Sequence, residues 1–247
     1  MQDKLFVVTG GSRGIGAATA RLAASRGWPV VITYRQQADE AAAVVRAIAA
    51  GGGRAHAVRF DVAIEAEVVE GFKRIDTLGT IGAVVNNAGV TGGRARVEAV
   101  MAHMIEQACQ VNITGSFMVA REAVRRMSTR NGGAGGVIVN VSSGAAVHGA
   151  PNTWVHYSAT KGAIDTMTVG LAKEVAREGI RVNAVRPGVI DTEIHDGRSD
   201  EEMAALRAAI PMGRYGTCDE VAEAIWWLAS PAASYVTGAL LDVRGGY

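Results

Sequence analysis

Tyr157 and Lys161 stand four residues apart in the stretch YSATK, 157–161. On a helix that spacing puts both side chains on one face, one turn apart. A free phenol titrates near ~10, too high for a base at neutral pH. A neighbouring ammonium stabilises the phenolate and lowers that value. Such a pair can give a proton to a carbonyl oxygen or take one from an alcohol. Alone, Y-x-x-x-K is a common accident. Its setting gives it weight: the run GGVIVNV (135–141) ends in Ser142-Ser143. A serine hydroxyl there can hydrogen-bond a substrate oxygen as charge develops on it.

The elements that must position these residues alternate along the chain. Short apolar runs at 4–9, 29–33, 54–60, 82–87, 135–141, 180–185 and 239–243 read as strands buried on both faces. Helical stretches at 14–26, 37–50, 64–78, 96–129, 155–178 and 217–229 lie between them. That alternation predicts an α/β fold, a doubly wound parallel sheet with helices on both faces. With no linker or repeat, residues 1–247 read as one Rossmann-type domain. The least regular part, about 188–215, with a short helical piece at 200–209, reads as a substrate lid.

The first strand runs into TGGSRGIG, 9–16. Gly10 ends the strand, and Gly14 and Gly16 open the next helix, with Ser12, Arg13 and Ile15 in the same turn. A turn without Cβ atoms lets a pyrophosphate reach backbone N–H groups at the positive end of a helix. Strand before and helix after make this a dinucleotide signature. The second strand ends at Thr33-Tyr34-Arg35, without the carboxylate that usually meets a ribose 2′-hydroxyl; the first acid is Asp39. Arg35 and Arg13 suit a 2′-phosphate instead, so NADP(H) is favoured over NAD(H). Asp61 and Val62 could hold the adenine, or Asp61 could cap the next helix. Asn87, Ala88 and Gly89 could line the cofactor, while Asn86 and Asn87 satisfy strand-end amides.

The bulk numbers exclude other classes. A net charge of +1 offers no patch for nucleic acid. The two cysteines, Cys109 and Cys218, lie far apart and suggest neither a disulfide framework nor a metal site. No uncharged apolar run approaches the roughly 18 residues that span a membrane. The N-terminal run reads as a strand rather than a signal peptide, so a cytoplasmic protein is expected.

Taken in order, TGGSRGIG (9–16), FDV (60–62), NNAG (86–89), VNITG (111–115), NVSS (140–143), YSATK (157–161) and RPGVIDTE (186–193) resemble the short-chain dehydrogenase/reductase family, in its compact single-domain branch. The nearest likeness is to bacterial enzymes of the sugar dehydrogenase and 3-oxoacyl reductase type. The resemblance implies seven parallel strands and a nicotinamide cofactor acting on a carbonyl or secondary alcohol. It implies Tyr157 as acid/base and Lys161 as its pKa-lowering partner and ribose ligand. Ser143 would orient the substrate oxygen, and Asn112 would hold a water relaying protons to Lys161. Pro187, Gly188, Val189, Ile190 and Thr192 match the segment along the nicotinamide. Relatives of this kind pair long helix faces into a homotetramer, which is expected here for 96–129 and 155–178.

One departure concerns spacing. Ser143 precedes Tyr157 by fourteen residues, where most members have thirteen; counting back thirteen reaches Gly144, which has no hydroxyl. The extra residue is assigned to a longer loop in GAAVHGAPNTW, with Ser142 as the weaker alternative. His148, Asn152, Trp154 and His156 in that loop are expected to shape the substrate pocket, His156 as a structural histidine. Met101 and Met104 read as core fill, and Trp226 and Trp227 as core or interface. Val147, Val155, Ile190, Ile194 and Met212 suggest a partly apolar pocket, and Arg214 or His195 could meet an anion. Two rival functions stand beside the reductase. One is an NADP(H)-sensing regulator without turnover. The other is an epimerase or dehydratase using acids or bases such as Asp191, Glu193, His195 or Asp196.

Overall fold

Val, Ile and Ala dominate the apolar runs, and they form the seven parallel strands of one sheet. The computed structural model describes residues 4–192 and 199–247; Glu193, Ile194, His195 and Asp196 lie outside them. Strands β1 (Leu5–Val8), β2 (Val30–Tyr34), β3 (Ala55–Arg59), β4 (Ile81–Asn86), β5 (Gly136–Val141), β6 (Ile180–Pro187) and β7 (Leu240–Val243) are ordered β3-β2-β1-β4-β5-β6-β7. The order reverses between β1 and β4, where Val8 lies beside Val85. Ligands bind outside the carboxyl ends of the strands at such a reversal.

The period-2 alternation of each strand feeds two cores. Phe6, Val8, Val85 and Val139 face helices α1 (Gly14–Ser25), α2 (Ala38–Ala50) and α9 (Cys218–Ala229). Leu5, Val7, Val84 and Ile138 face α3 (Glu65–Asp76), α5 (Ser116–Met127) and α7 (Val155–Val175). The remaining helices described are α4 (Ala102–Ala108), the single turn α6 (Ala145–His148) and α8 (Asp200–Ala209). Ser199 and Glu202 form a reciprocal capping box that starts α8, and Thr217 and Glu220 do the same for α9.

Three expectations are corrected. The stretch 96–129 is not one helix: Val97–Ala99 is a 3₁₀ turn, α4 starts at Ala102, and Cys109–Gly115 is a π-helical segment. β3 is not buried on both faces: as the edge strand it covers Val58 and leaves His56, Ala57 and Arg59 exposed. Met104 is core, but Met101 is 56% exposed, because it precedes α4. Among the described residues no helix is long and apolar enough to cross a membrane.

Candidate active site

The glycine turn is shaped by what each missing side chain would strike. Gly10 and Gly14 adopt left-handed φ values of 63° and 54°. A Cβ on Gly16 would stand 2.4 Å from the Gly10 carbonyl oxygen and 2.6 Å from Asn87 Nδ2. Asn87 holds the turn from β4, donating to the carbonyls of Thr9 (2.9 Å) and Gly10 (3.1 Å). The Thr9 hydroxyl accepts from the backbone N–H groups of Asn87 (3.0 Å) and Ala88 (3.1 Å). Thr9 went unnoticed in the sequence, although it opens TGGSRGIG. Ser12 is buried beside the turn and Ile15 partly buried. Arg13 is the extended residue before α1, whose first turn carries no acid. The turn is therefore a backbone-lined cradle of positive polarity, suited to a pyrophosphate.

Arg35 follows β2 at the same edge, with Tyr34 packed on the core beneath it. Its guanidinium lies 3.6 Å from the carboxylate of Asp61, brought in from the end of β3. A carboxylate thus does stand near the β2 edge, one that proximity in sequence did not show. Asp61 does not cap α3, whose N-cap is Ile64; it closes its own turn by accepting from Ala63 N at 2.9 Å. Val62 packs its carbonyl close to Gly115, where a Cβ would come within 2.9 Å. Asn86 donates to the Ser116 carbonyl at 2.9 Å, satisfying the strand end as expected.

Helix α7 starts at Val155 and carries Tyr157 and Lys161 on one face. The Ser143 hydroxyl is close enough to Tyr157 to draw its pKa downward. Ser142 points elsewhere: it is buried and donates to the Lys161 carbonyl at 3.2 Å. Ser143, not Ser142, therefore faces the tyrosine. The loop between them runs through α6 and Gly149, with left-handed φ at Ala150 (40°) and Asn152 (64°). Asn152 accepts from Arg96 at 3.0 Å, and the Trp154 ring meets the Tyr157 ring edge-on at 6.4 Å.

Lys161 is buried and donates to the Val141 carbonyl at 2.7 Å. Its Nζ lies 5.7 Å from the centre of the Tyr157 ring. Burial draws its pKa down to about 8, against a raising influence from Asp165. Burial pushes the phenol up to about 12, with only the Ser143 hydroxyl pulling the other way. Desolvation penalises the phenolate.

Asn112 sits in the π-helical segment, where its side chain clamps the end of β4. It donates to Val90 O (2.8 Å) and Thr160 Oγ1 (2.9 Å) and accepts from Val90 N (2.9 Å). A Cβ on Gly89 would lie 3.2 Å from Asn112 Oδ1 and 3.5 Å from Lys161 Nζ, so these residues close around one point. The opposite wall is Pro187, Gly188, Val189, Ile190 and Thr192. Gly188 passes so close to Arg244 that a Cβ would come within 2.9 Å of its Cα. Thr192 reaches back toward the glycine turn, its Cγ2 3.9 Å from a Cβ placed on Gly14.

The pocket expectations divide. Ile190 is buried, while Val147, Val155 and Met212 are exposed. Arg214 is engaged by Glu220 at 2.9 and 2.5 Å rather than offered to an anion. His156 lines an apolar cavity of about 300 Å³ with Val97, Ile105, Cys109 and Val155. Its Nε2 is buried without a hydrogen-bond partner among the described residues. Arg94 ion-pairs with Glu202, joining the loop after β4 to α8.

Comparison with known proteins agrees with this geometry. The family profile described as enoyl-(acyl carrier protein) reductase matches residues 10–247. The uncharacterized oxidoreductase YgfF of Escherichia coli is 48% identical over 244 residues, covering 98% of this chain and 99% of its own. The cis-4-hydroxycyclohexanecarboxylate dehydrogenase of Sinomonas cyclohexanicum is 41% identical over 247 residues, covering 99% of this chain and 96% of its own. A solved blue fluorescent protein from a metagenomic library, in complex with NADPH, matches with a TM-score of 0.90 at 35% identity, over 98% of this chain and 97% of its own.

Proposed function

The chain belongs to the short-chain dehydrogenase/reductase family, and from that premise we propose an NADP(H)-dependent oxidoreductase in which Tyr157 exchanges the proton with a carbonyl or secondary-alcohol substrate. The observation that carries this reading is the Lys161 ammonium 5.7 Å from the Tyr157 ring centre at the carboxyl edge of the sheet, with the Ser143 hydroxyl acting on the same phenol. Bound there, a nicotinamide cofactor supplies or accepts the hydride. The cradle around Gly10, Gly14 and Gly16 suits its pyrophosphate, because a Cβ at Gly16 would strike the Gly10 carbonyl and Asn87 and force the turn out of this shape. Arg35 and Arg13 would hold a 2′-phosphate, and Lys161 and the 187–192 wall would hold the nicotinamide end.

Tyr157 is protonated at neutral pH, since burial lifts its pKa to about 12. It is therefore set to donate to a carbonyl oxygen, which favours reduction. Ser143 holds the same oxygen as negative charge grows on it. Asn112 keeps the floor of the site in place through Val90 and Thr160. Two exposed apolar faces support a homotetramer in this reading: Ile105, Phe117 and Val155 on one side, Trp227 and Tyr235 on the other.

The test is reduced-nicotinamide oxidation against a panel of ketones, aldehydes, diketones and 3-oxoacyl thioesters, with NADPH and NADH in parallel. Tyr157→Phe is expected to abolish turnover while still binding NADPH. Near wild-type turnover in that variant would overturn the assignment.

A further inference from the structure

Beyond β7 the chain touches 143–154, 187–192 and 210–216 in turn. Val243 O accepts from Gly188 N at 3.0 Å, which holds the 187–192 wall. Arg244 packs against Gly144, where a Cβ would come within 2.7 Å of Arg244 Cδ. Gly245 and Gly246 take left-handed φ values of 63° and 88° and bend the chain back. Gly245 O accepts from Met212 N at 3.1 Å, and a Cβ on Gly246 would stand 3.0 Å from Pro211 Cβ. Tyr247 then sets its ring against the imidazole of His148, edge-on, with the centroids 5.2 Å apart.

His148 is the last residue of α6, which is a single helical turn. A helix this short does not sustain itself, because fixing the first turn costs more than its few hydrogen bonds return. It is held at its two ends. At its start Gly144 N donates to Pro187 O at 2.8 Å, and Ser143 Oγ accepts from Ala145 N at 3.1 Å. At its end His148 Nδ1 accepts from Ala150 N at 3.1 Å, and the Tyr247 ring meets the other side of the turn through the imidazole. A serine side chain has three staggered positions, and the amide of Ala145 selects one of them for Ser143. What steadies α6 therefore steadies that hydroxyl. Arg244 supports the loop at Gly144, before α6 begins, and Tyr247 supports its far end.

We propose that Tyr247 is a positioning residue for Ser143. Its ring clamps α6 through His148, which keeps the Ala145 amide in place and with it the Ser143 hydroxyl beside Tyr157.

The proposal rests on the reductase reading, and one arm of its test needs no turnover. Hydrogen–deuterium exchange of the full-length chain, read by mass spectrometry, follows the amides of 144–149. Tyr247→Ala is expected to speed their exchange about tenfold and to leave 155–175 unchanged. His148→Ala, which removes the other ring, should match it, and Tyr247→Phe, which keeps the ring, should behave as the wild type. The second arm is a double-mutant cycle on kcat. Tyr247→Ala is expected to lower kcat about tenfold when Ser143 is present and to change nothing further in Ser143→Ala, with NADPH affinity constant throughout. Unchanged exchange at 144–149 in Tyr247→Ala overturns the clamp. An equal loss of kcat with and without the Ser143 hydroxyl overturns the positioning role. A wild-type chain that turns over no substrate overturns the reductase reading and the catalytic half of the proposal with it, while faster exchange in Tyr247→Ala still supports the clamp.

Discussion

Replacing Gly16 by alanine tests the cofactor cradle more sharply than removing any charge. The new Cβ would sit 2.4 Å from the Gly10 carbonyl oxygen and 2.6 Å from Asn87 Nδ2. Neither neighbour is the free end of a flexible side chain. The carbonyl belongs to the turn, and Asn87 is fixed by its bonds to Thr9 and Gly10. Overpacking of this kind costs about 1–3 kcal/mol, and a lost Asn87–Gly10 hydrogen bond adds about 1 kcal/mol. Whatever part of that is relieved by displacing the turn appears as weaker binding, at about 1.4 kcal/mol for each tenfold. Gly14→Ala is the comparison. Its φ of 54° costs an L-residue about 1–2 kcal/mol, but the nearest atom to its Cβ would be Thr192 Cγ2, 3.9 Å away. Gly14→Ala should therefore lower the melting temperature by about 2–4 °C per kcal/mol with little effect on affinity. Gly16→Ala should weaken NADPH binding about tenfold or more, read by fluorescence titration. Wild-type affinity in Gly16→Ala, or a greater loss in Gly14→Ala, would refute the cradle.

Other outcomes follow from the same contacts. Arg35→Glu should weaken NADPH by more than about tenfold, since it loses a charge-assisted contact of about 1.5–3 kcal/mol, and should spare NADH; equal losses would remove Arg35 from cofactor choice. Ser143→Ala should lower kcat by about 100-fold while Ser142→Ala changes it little, because only Ser143 reaches Tyr157; the reverse ranking would reassign the serine. The Glu122 side chain is 4% exposed among Arg121, Arg125 and Arg126. Its loss to alanine should cost about 1–3 kcal/mol in urea unfolding, less than a fully buried pair because the arginines keep water. For Lys161, the folded pKa of about 8 lies below the ordinary 10.5. Between those values the unfolded chain holds the proton that the native lysine has released, so stability rises with pH across that window. Urea midpoints should show the rise in the wild type and lose it in Lys161→Met.

What could be read from the sequence is what the chain writes locally. Strand alternation gave both cores, because period 2 sends Phe6 and Val8 to one face and Leu5 and Val7 to the other. Tyr157 and Lys161 were legible because a helix converts four residues into one face. The π-helical segment was not, since one extra residue in a turn leaves the apolar pattern nearly intact. Nor was the Asp61–Arg35 pair, which forms only when β3 lies beside β2. Nor was the Asp165–Arg186 pair, whose members are carried by α7 and β6. The fourteen-residue spacing shows the same limit from the other side. Counting residues from Tyr157 lands on Gly144, while the structure keeps Ser143 beside the tyrosine across a loop with left-handed backbone at Gly149, Ala150 and Asn152. The hydroxyl is fixed by the end of β5 and the phenol by the start of α7. The loop between them is free to lengthen so long as those two ends stay put, so the constraint on this site is a distance in space rather than a number of residues.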